Sequence, residues 1–495
     1  MSLRPGPTGP SGPEDSLEEE QRRALRSALE VADLTLDELW MRYFALGGSA
    51  DLLEVEGHVQ GLMPLPPAEV NVLAHALNER LDELFTQRRV PYRPPLRRGR
   101  ASGPFAALLR LMEEAHAAPP DRLPTLVTEA GTALGVQVTV HVADHEQCRL
   151  WPLLPEGATS TGSVPIDGSL PGRVFQTMRS LPSEADGLRR LWLPVLDGDD
   201  RVGVLEVRVD TPAELYDPGL REECRWLAEL VGSLLASLGQ YGDGLERPRR
   251  TRSRSPSAEL LWQLLPPLTA GSGAFMLAGL LEPAYEAGGD AFDYSLSETT
   301  ISLAAFDAMG HGLPAAVLVA AAVSAYRSAR RDGRDVHDQA RAIDGVVAGT
   351  FPGSAFVTGV LAELDVPSGR LRYVNAGHPA PHLLRGGRAV KSLAGGRRMP
   401  FGLGTGALTV AEEALQPGDW LAVHTDGVTE ARDATGAWFG EERLVDLLTR
   451  EVAGGQSPPE TVRRLMHAVL DHQEGLLQDD ASVLLARWAP EPRAL

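Results

Sequence analysis

Of the 47 lysine and arginine residues in this 495-residue chain, only Lys391 is lysine, and it stands in RGGRAVKSL. Nucleotide-binding P-loops and protein kinases need a lysine on the phosphates within a defined glycine-loop or strand setting, which that stretch lacks. Both classes are excluded. Cysteine is nearly as scarce: Cys148 and Cys224 lie far apart without metal-ligand neighbours, so neither a disulfide framework nor a zinc site is expected, and both read as reduced core thiols. Long apolar runs are missing too. The longest, Leu313 to Ala325, falls short of a bilayer crossing, and the opening MSLRPGPTGPSGPEDSLEEE has no signal-peptide core, so a cytoplasmic protein without membrane contact is expected. Finally, positive charge is in deficit. A net charge of -20 disfavours a nucleic-acid partner, because nothing would drive counterion release, and points to a protein or small-ligand partner.

What is present divides the chain into several parts, as its length requires. Residues 1–16 are rich in proline and glycine and are expected to be disordered. Helical stripes (Leu36, Leu39, Trp40, Tyr43, Phe44; then Val70, Leu73, Leu77, Leu81, Leu84) predict a small all-α module over 17–88, its aromatics in the core. A Pro/Arg-rich linker ends at Arg100. Over 105–240 come helix, alternating strands such as VQVTVHVAD, a helix at GRVFQTM and a hairpin at Asp197-Gly198-Asp199. The closing helix carries Leu220, Cys224, Leu227, Val231, Leu234 and Leu238 in heptad spacing, which suits either a homodimer seam or packing on its own sheet. Residues 241–256 read as a solvated Arg-rich linker.

The chemistry gathers further on. Gly288-Gly289 delivers Asp290 to the edge of a strand, outside any core; the strand ISLAAF leads to Asp307, followed by the Met309-Gly310-His311-Gly312 turn and a helix. This order aims the Asp307 carboxylate and the Ala308 carbonyl at one point. Asp426-Gly427 ends the strand WLAVHTD, and Asp479-Asp480 precedes the last strand. Four carboxylates, Asp290, Asp307, Asp426 and Asp479, would repel one another without a cation, and hard cations such as Mg²⁺ or Mn²⁺ want such oxygen ligands. His311 and His378 sit in glycine turns and read as turn-stabilising.

In PAYEAGGDAFD, FDAMGHG, YVNAGHPAP, PGDWLAVHTDGVTEARD, FGEERL and DDASVLL, residues 257–490 resemble the SpoIIE/RsbU-type branch of the PPM (PP2C-like) protein serine/threonine phosphatases. The resemblance implies two stacked antiparallel sheets flanked by helices. It implies two Mn²⁺ or Mg²⁺ ions, with Asp307 bridging, Asp290 and the Ala308 carbonyl on one ion and Asp426 and Asp479 on the other. It also implies a phosphorylated protein substrate, with an anti-anti-sigma (STAS-type) protein as the family's usual one, in a sigma-factor partner-switching pathway. Tyr285 stands where the family often has a phosphate-clamping arginine. Residues 105–240, through SLPGRVFQT and DRVGVLEV, resemble a GAF sensory domain, which would hold an unknown small ligand. The whole reads as an α+β multidomain chain. Two other functions compete: a non-catalytic scaffold that keeps the fold, and a nucleotide cyclase suggested by the GGDEF-like GGDAF, in which Ala291 lacks the needed acid.

Overall fold

The computed structural model describes residues 13–84 and 103–490, apart from 156, 159–161, 186, 283, 284, 287, 352, 354, 405–407 and 476. Most of the expected N-terminal disordered stretch and the whole linker before Arg100 lie outside those residues, although the first helix already starts at Pro13. Two compact units divide at residue 102.

The first unit has four helices, α1 (Pro13–Ala32), α2 (Leu36–Ala45), α3 (Leu52–Gln60) and α4 (Pro67–Leu84). Capping boxes Thr35/Glu38 and Asp51/Glu54 start α2 and α3, satisfying the free N–H groups of their first turns. Leu39, Tyr43, Leu73, Leu77 and Leu81 fill the core. Phe44 does not: it is 61% exposed and stacks on Trp40, because the fifth position of the stripe turns past the buried sector.

The second unit begins with an α/β layer pair. Helices α5 (Pro104–Ala117) and α6 (Leu123–Ala133) precede β1 (Gln137–Ala143), β2 (Arg149–Leu153) and β3 (Val164–Pro165). After α7 (Leu170–Thr177) follow β4 (Leu181–Ala185), β5 (Leu188–Asp197), β6 (Asp200–Val209) and α8 (Pro218–Leu238). The strands form one antiparallel sheet in the order β3-β2-β1-β6-β5-β4. The heptad seam of α8 is spent here: Cys224, Leu227, Val231, Leu234 and Leu238 are buried in this layer's own core. These side chains are therefore committed to their own sheet, and glutamates at Leu227 and Leu234 would break that core.

The Arg-rich stretch after α8 is only partly solvated: Arg247 and Arg252 are exposed, but others are packed. Arg254 is buried between Glu246 and Glu259 and over the Trp262 ring, while Arg249 Nε donates to the Ala143 carbonyl. Acidic partners on both sides convert what composition reads as a linker into a packed joint.

From α9 (Pro256–Leu264) onward the chain builds two further sheets. One contains β9 (Asp290–Leu296), β10 (Thr300–Ala308), β11 (Val357–Asp365), β12 (Arg370–Ala376), β15 (Arg397–Arg398) and β16 (Ala411–Ala414). The other contains β7 (Thr269–Ser272), β8 (Phe275–Glu282), β13 (His382–Arg385), β14 (Arg388–Ser392), β17 (Trp420–His424) and β18 (Ala481–Trp488). Their orders are β15-β12-β11-β10-β9, with β16 beside β12, and β14-β13-β17-β18-β8-β7. All pairings are antiparallel except the short β12–β15 contact. Helices α10 (Gly312–Arg331) and α11 (Val336–Thr350) cover the first sheet; α12 (Asp426–Thr429), α13 (Gly440–Ala453) and α14 (Pro458–His472) lie on the second. At 20 residues α10 is long and apolar enough to cross a membrane by composition, but Val319, Val323 and Tyr326 are buried in this core.

Strand alternation decides what reaches the space between the sheets. Phe292 on β9, Leu303 and Ala305 on β10, Leu421 and Val423 on β17, and Leu484 and Ala486 on β18 face inward. Continued to the strand ends, the same parity selects Asp290, Asp307, Thr425 and Asp480.

Candidate metal centre

Asp290 and Asp307 are direct cross-strand partners of β9 and β10. Two like charges so placed oppose the pairing unless something neutralises them. Asp290 starts the edge strand β9, as expected, but is 2% exposed, not open to solvent. The second sheet covers it: Thr425 Oγ1 donates to Asp290 Oδ2 at 2.6 Å and accepts from the Ser482 N–H at 2.8 Å. Asp307 is half-buried, whereas Asp426 and Asp479 stand exposed at the mouth.

The loops meet without side chains between them. A Cβ on Gly288 would lie 2.3 Å from the Gly312 nitrogen, and one on Gly427 would lie 1.9 Å from the Asp480 carbonyl oxygen. Glycine at these two points is what lets the three Asp-bearing turns close on one another. Asp480 completes the join, its Oδ2 accepting the N–H groups of Gly288 at 2.7 Å, Gly289 at 2.5 Å and Asp290 at 3.4 Å. Sequence reasoning assigned no role to Asp480; its parity with Ser482 and Leu484 was the available signal.

The electrostatics single out Asp307. Burial, then the charges of Asp426 and Asp479, push its carboxyl up to about 7. Asp290 is raised well above the usual range by burial, then by Asp307 and Asp480. Asp426 is raised by burial, then by Glu430 and Asp479. Asp307 thus feels Asp426 and Asp479 on one side and acts on Asp290 on the other. Among the described residues, no three of these carboxylates bring ligand atoms within 4.8 Å of one another; only Asp335, His337 and Asp338, with both aspartates exposed, do so. For one cation to take Asp307, Asp426 and Asp479 together, the exposed Asp426 and Asp479 side chains would have to swing inward from the mouth. The donor set, all oxygen and strained by its own charge, fits Mg²⁺ or Mn²⁺. Ala308, buried, follows Asp307 on β10, and its N–H is held by the Gly289 carbonyl at 2.9 Å.

Neighbouring groups separate into support and packing. Thr358 Oγ1 lies 3.3 Å from Asp307 Oδ2 and 2.9 Å from His378 Nδ1. Burial holds the His378 ring neutral, its pKa lowered to about 4, and the residue's backbone N–H donates to Asn375 Oδ1. His311 is exposed at the start of α10. Asp293 has the opposite parity to Asp290 and faces α10, paired with Arg327 at 2.7 Å and Arg330 at 2.9 Å. Asp293→Asn should therefore lower stability by about 1–3 kcal/mol, both arginines being partly in water, yet change turnover no more than a few-fold. Thermal unfolding and steady-state rates on the same sample check this. Tyr285, at the position where an arginine clamp was sought, instead gives its hydroxyl to Glu146 at 3.0 Å and accepts the Thr251 N–H at 2.8 Å.

Part of the chain is similar to known proteins. Residues 297–489 match the family described as Stage II sporulation protein E (SpoIIE). The phosphoserine phosphatase RsbU of Bacillus subtilis is 23% identical over 216 residues, covering 43% of this chain and 63% of RsbU. Protein IcfG of Synechocystis sp. is 29% identical over 132 residues, covering 26% of this chain and 20% of IcfG. The chain thus spans less than two thirds of the length of these curated relatives. Among solved structures, the SiaA-PP2C domain of Pseudomonas aeruginosa aligns at 21% identity and a TM-score of 0.41, over 51% of this chain and 98% of that domain. Residues 297–489, which hold Asp307, Asp426 and Asp479, thus resemble the SpoIIE/RsbU-type branch of the PPM (PP2C-like) protein serine/threonine phosphatases.

Proposed function

We propose that this chain is a metal-dependent protein serine/threonine phosphatase acting on a phosphorylated protein in a partner-switching pathway of the sigma-factor kind. The observation that carries the reading is the convergence of Asp290, Asp307, Asp426 and Asp479 at one end of the sandwich, with Asp307 charge-coupled to all the others. Asp290, Asp307 and the Ala308 carbonyl would hold one Mn²⁺ or Mg²⁺ ion, and Asp307, Asp426 and Asp479 the second. When bound, such a pair supplies a water of lowered pKa and offsets charge on the phosphoryl oxygens. The protein's own part is placement. Asp480 and Thr425 keep Asp290 in register against Asp307, while Thr358 orients the Asp307 carboxylate from the other side. No side-chain nucleophile is required.

A protein substrate is supported by the surface beside the centre. Met309, Leu313 and Val317 follow Asp307 directly and are 45–48% exposed, an apolar shoulder suited to a folded partner. RsbU is named as a phosphoserine phosphatase, and an anti-anti-sigma (STAS-type) phosphoprotein is the substrate we assign by that likeness. The α/β layers before the phosphatase domain are read as a GAF-like sensor, and the whole as cytoplasmic. The cyclase alternative is disfavoured because the GGDAF turn serves the Asp290–Asp307 pair in a two-sheet sandwich.

The test is phosphate release by the full-length chain. Phosphoserine and phosphothreonine peptides should be hydrolysed in Mn²⁺, and a phosphotyrosine peptide at least about tenfold more slowly. Preference for phosphotyrosine would refute the substrate class.

A further inference from the structure

Within the second unit, a cavity of about 540 Å³ lies between the α/β layers and the phosphatase sandwich. That is the size of a small-molecule site. Six acids line it, Asp144, Glu146, Asp167, Glu282, Glu286 and Asp471, against two arginines and His467. Asp167 is already neutralised by Arg463 at 2.6 Å, which leaves the surplus at the β1–β2 turn and the β8–β9 loop. Asp144 is the telling member. It is 1% exposed; its Oδ1 accepts the N–H groups of Cys148 and Arg149, while Oδ2 is buried against the Trp151 indole, outside strict hydrogen-bonding geometry. Burial raises its pKa and its partners are N–H groups, with no ion pair among them, so a buried carboxylate charge here costs free energy that a cation would recover.

The cavity favours an organic cation over a metal ion. No three of its ligand groups bring atoms within 4.8 Å of one another, among the described residues, so a compact ion would lack a coordination shell. Leu470, Leu477 and the Tyr285 ring supply apolar wall instead. The chain also offers a stand-in of its own: Arg252, mostly exposed, places its guanidinium 5.5 Å from the Tyr285 ring centre and 3.7 Å from Glu146. An amine in the cavity would meet the same ring and carboxylate.

Two wall segments run directly into the metal centre. Tyr285 stands three residues before Gly288, and Leu477 three before Asp480, the two ends of the clamp that seats Asp290. We propose that this cavity binds a small organic cation, an amine or guanidinium on a short apolar body, held by Asp144 and Glu146, and that its occupancy is transmitted to the carboxylate cluster. The transmission rests on the phosphatase reading; the binding does not.

Full-length protein titrated calorimetrically with putrescine and with spermidine at constant ionic strength should bind one molecule saturably. Asp144→Asn and Glu146→Gln should each weaken it about tenfold or more, as loss of a charge-assisted hydrogen bond implies, and Asp307→Asn should leave it unchanged. Cys148 reports occupancy without mutation, since its thiol lines the cavity while Cys224 is buried: bound amine should slow its alkylation by N-ethylmaleimide several-fold. Saturation with amine should also change the phosphoserine-peptide rate at least about threefold. Absence of saturable binding, equal affinity in the Asp144 and Glu146 variants, or unprotected Cys148 overturns the site. Binding with an unaltered rate, in an enzyme that is otherwise active, overturns the transmission alone.

Discussion

Asp307→Asn should reduce phosphatase turnover on the order of 10³-fold while leaving the fold intact. The carboxylate is the hub of the cluster, and losing it removes a ligand from both proposed ions; a bound cation supplies several kcal/mol of transition-state stabilisation, each 1.36 kcal/mol being tenfold. The same substitution should stabilise metal-free protein. Asp307 has its folded pKa raised to about 7, so the native state holds a proton that the unfolded chain releases near its ordinary value. Stability of the metal-free wild type therefore falls as pH rises from about 4 to about 7 and stays lower above that. Asparagine does not titrate, so at pH 8 the variant should be more stable by roughly 2 kcal/mol, a value reduced from the full linkage because Asp307 is only half-buried. Thermal unfolding in chelator at pH 5 and pH 8 reads this. A variant that is inactive but less stable at both pH values would mean that Asp307 is structural.

Glu460→Ala should cost about 3–5 kcal/mol, the largest stability loss we expect from a single side chain outside the apolar core. Glu460 and Arg463 on α14 are each 1% exposed, and Arg201 on β6 is 5% exposed. Glu460 accepts from Arg463 at 2.9 and 3.0 Å, from Arg464 at 2.8 Å and from Arg201 at 3.3 Å, and Arg463 reaches on to Asp167. Removing this buried carboxylate takes from Arg201 its ion-pair partner and leaves Arg463 with Asp167 as its remaining acid. The network also joins the α/β layers to the sandwich, so a fragment starting at residue 257 keeps Glu460 and Arg463 but loses Arg201 and Asp167. That fragment should unfold at lower temperature than the same domain within the full chain. An unchanged midpoint in Glu460→Ala would show that water replaces the carboxylate.

The carboxylate turns were legible because their geometry is written in local sequence. Gly288 and Gly427 sit where backbone approaches backbone, and the alternation of Phe292, Leu303 and Leu484 marks which strand faces look inward. The same alternation separates Asp290 from Asp293, which a reading by motif alone treats as neighbours. Less legible was anything set by two distant segments at once. The seam of α8 has the same spacing whether it meets another chain or its own sheet, and only the buried Leu227 and Val231 decide. Arg250 and Arg254 read as solvated because Glu246 and Glu259, which neutralise them, carry no periodic signal. Cys148, expected in a core, is exposed at the interdomain cavity for the same reason: the turn after β1 faces a domain more than a hundred residues away. Asp480 was passed over because its partners are backbone N–H groups, invisible in side-chain patterns.

The most direct test of the central claim is metal titration of full-length protein stripped by chelator, followed in parallel by binding and by hydrolysis of a phosphoserine peptide. The account predicts no turnover in the stripped protein, recovery with Mn²⁺ or Mg²⁺ as two ions bind per chain, and impaired uptake of both ions in Asp307→Asn. Full turnover in protein shown to be metal-free would contradict it.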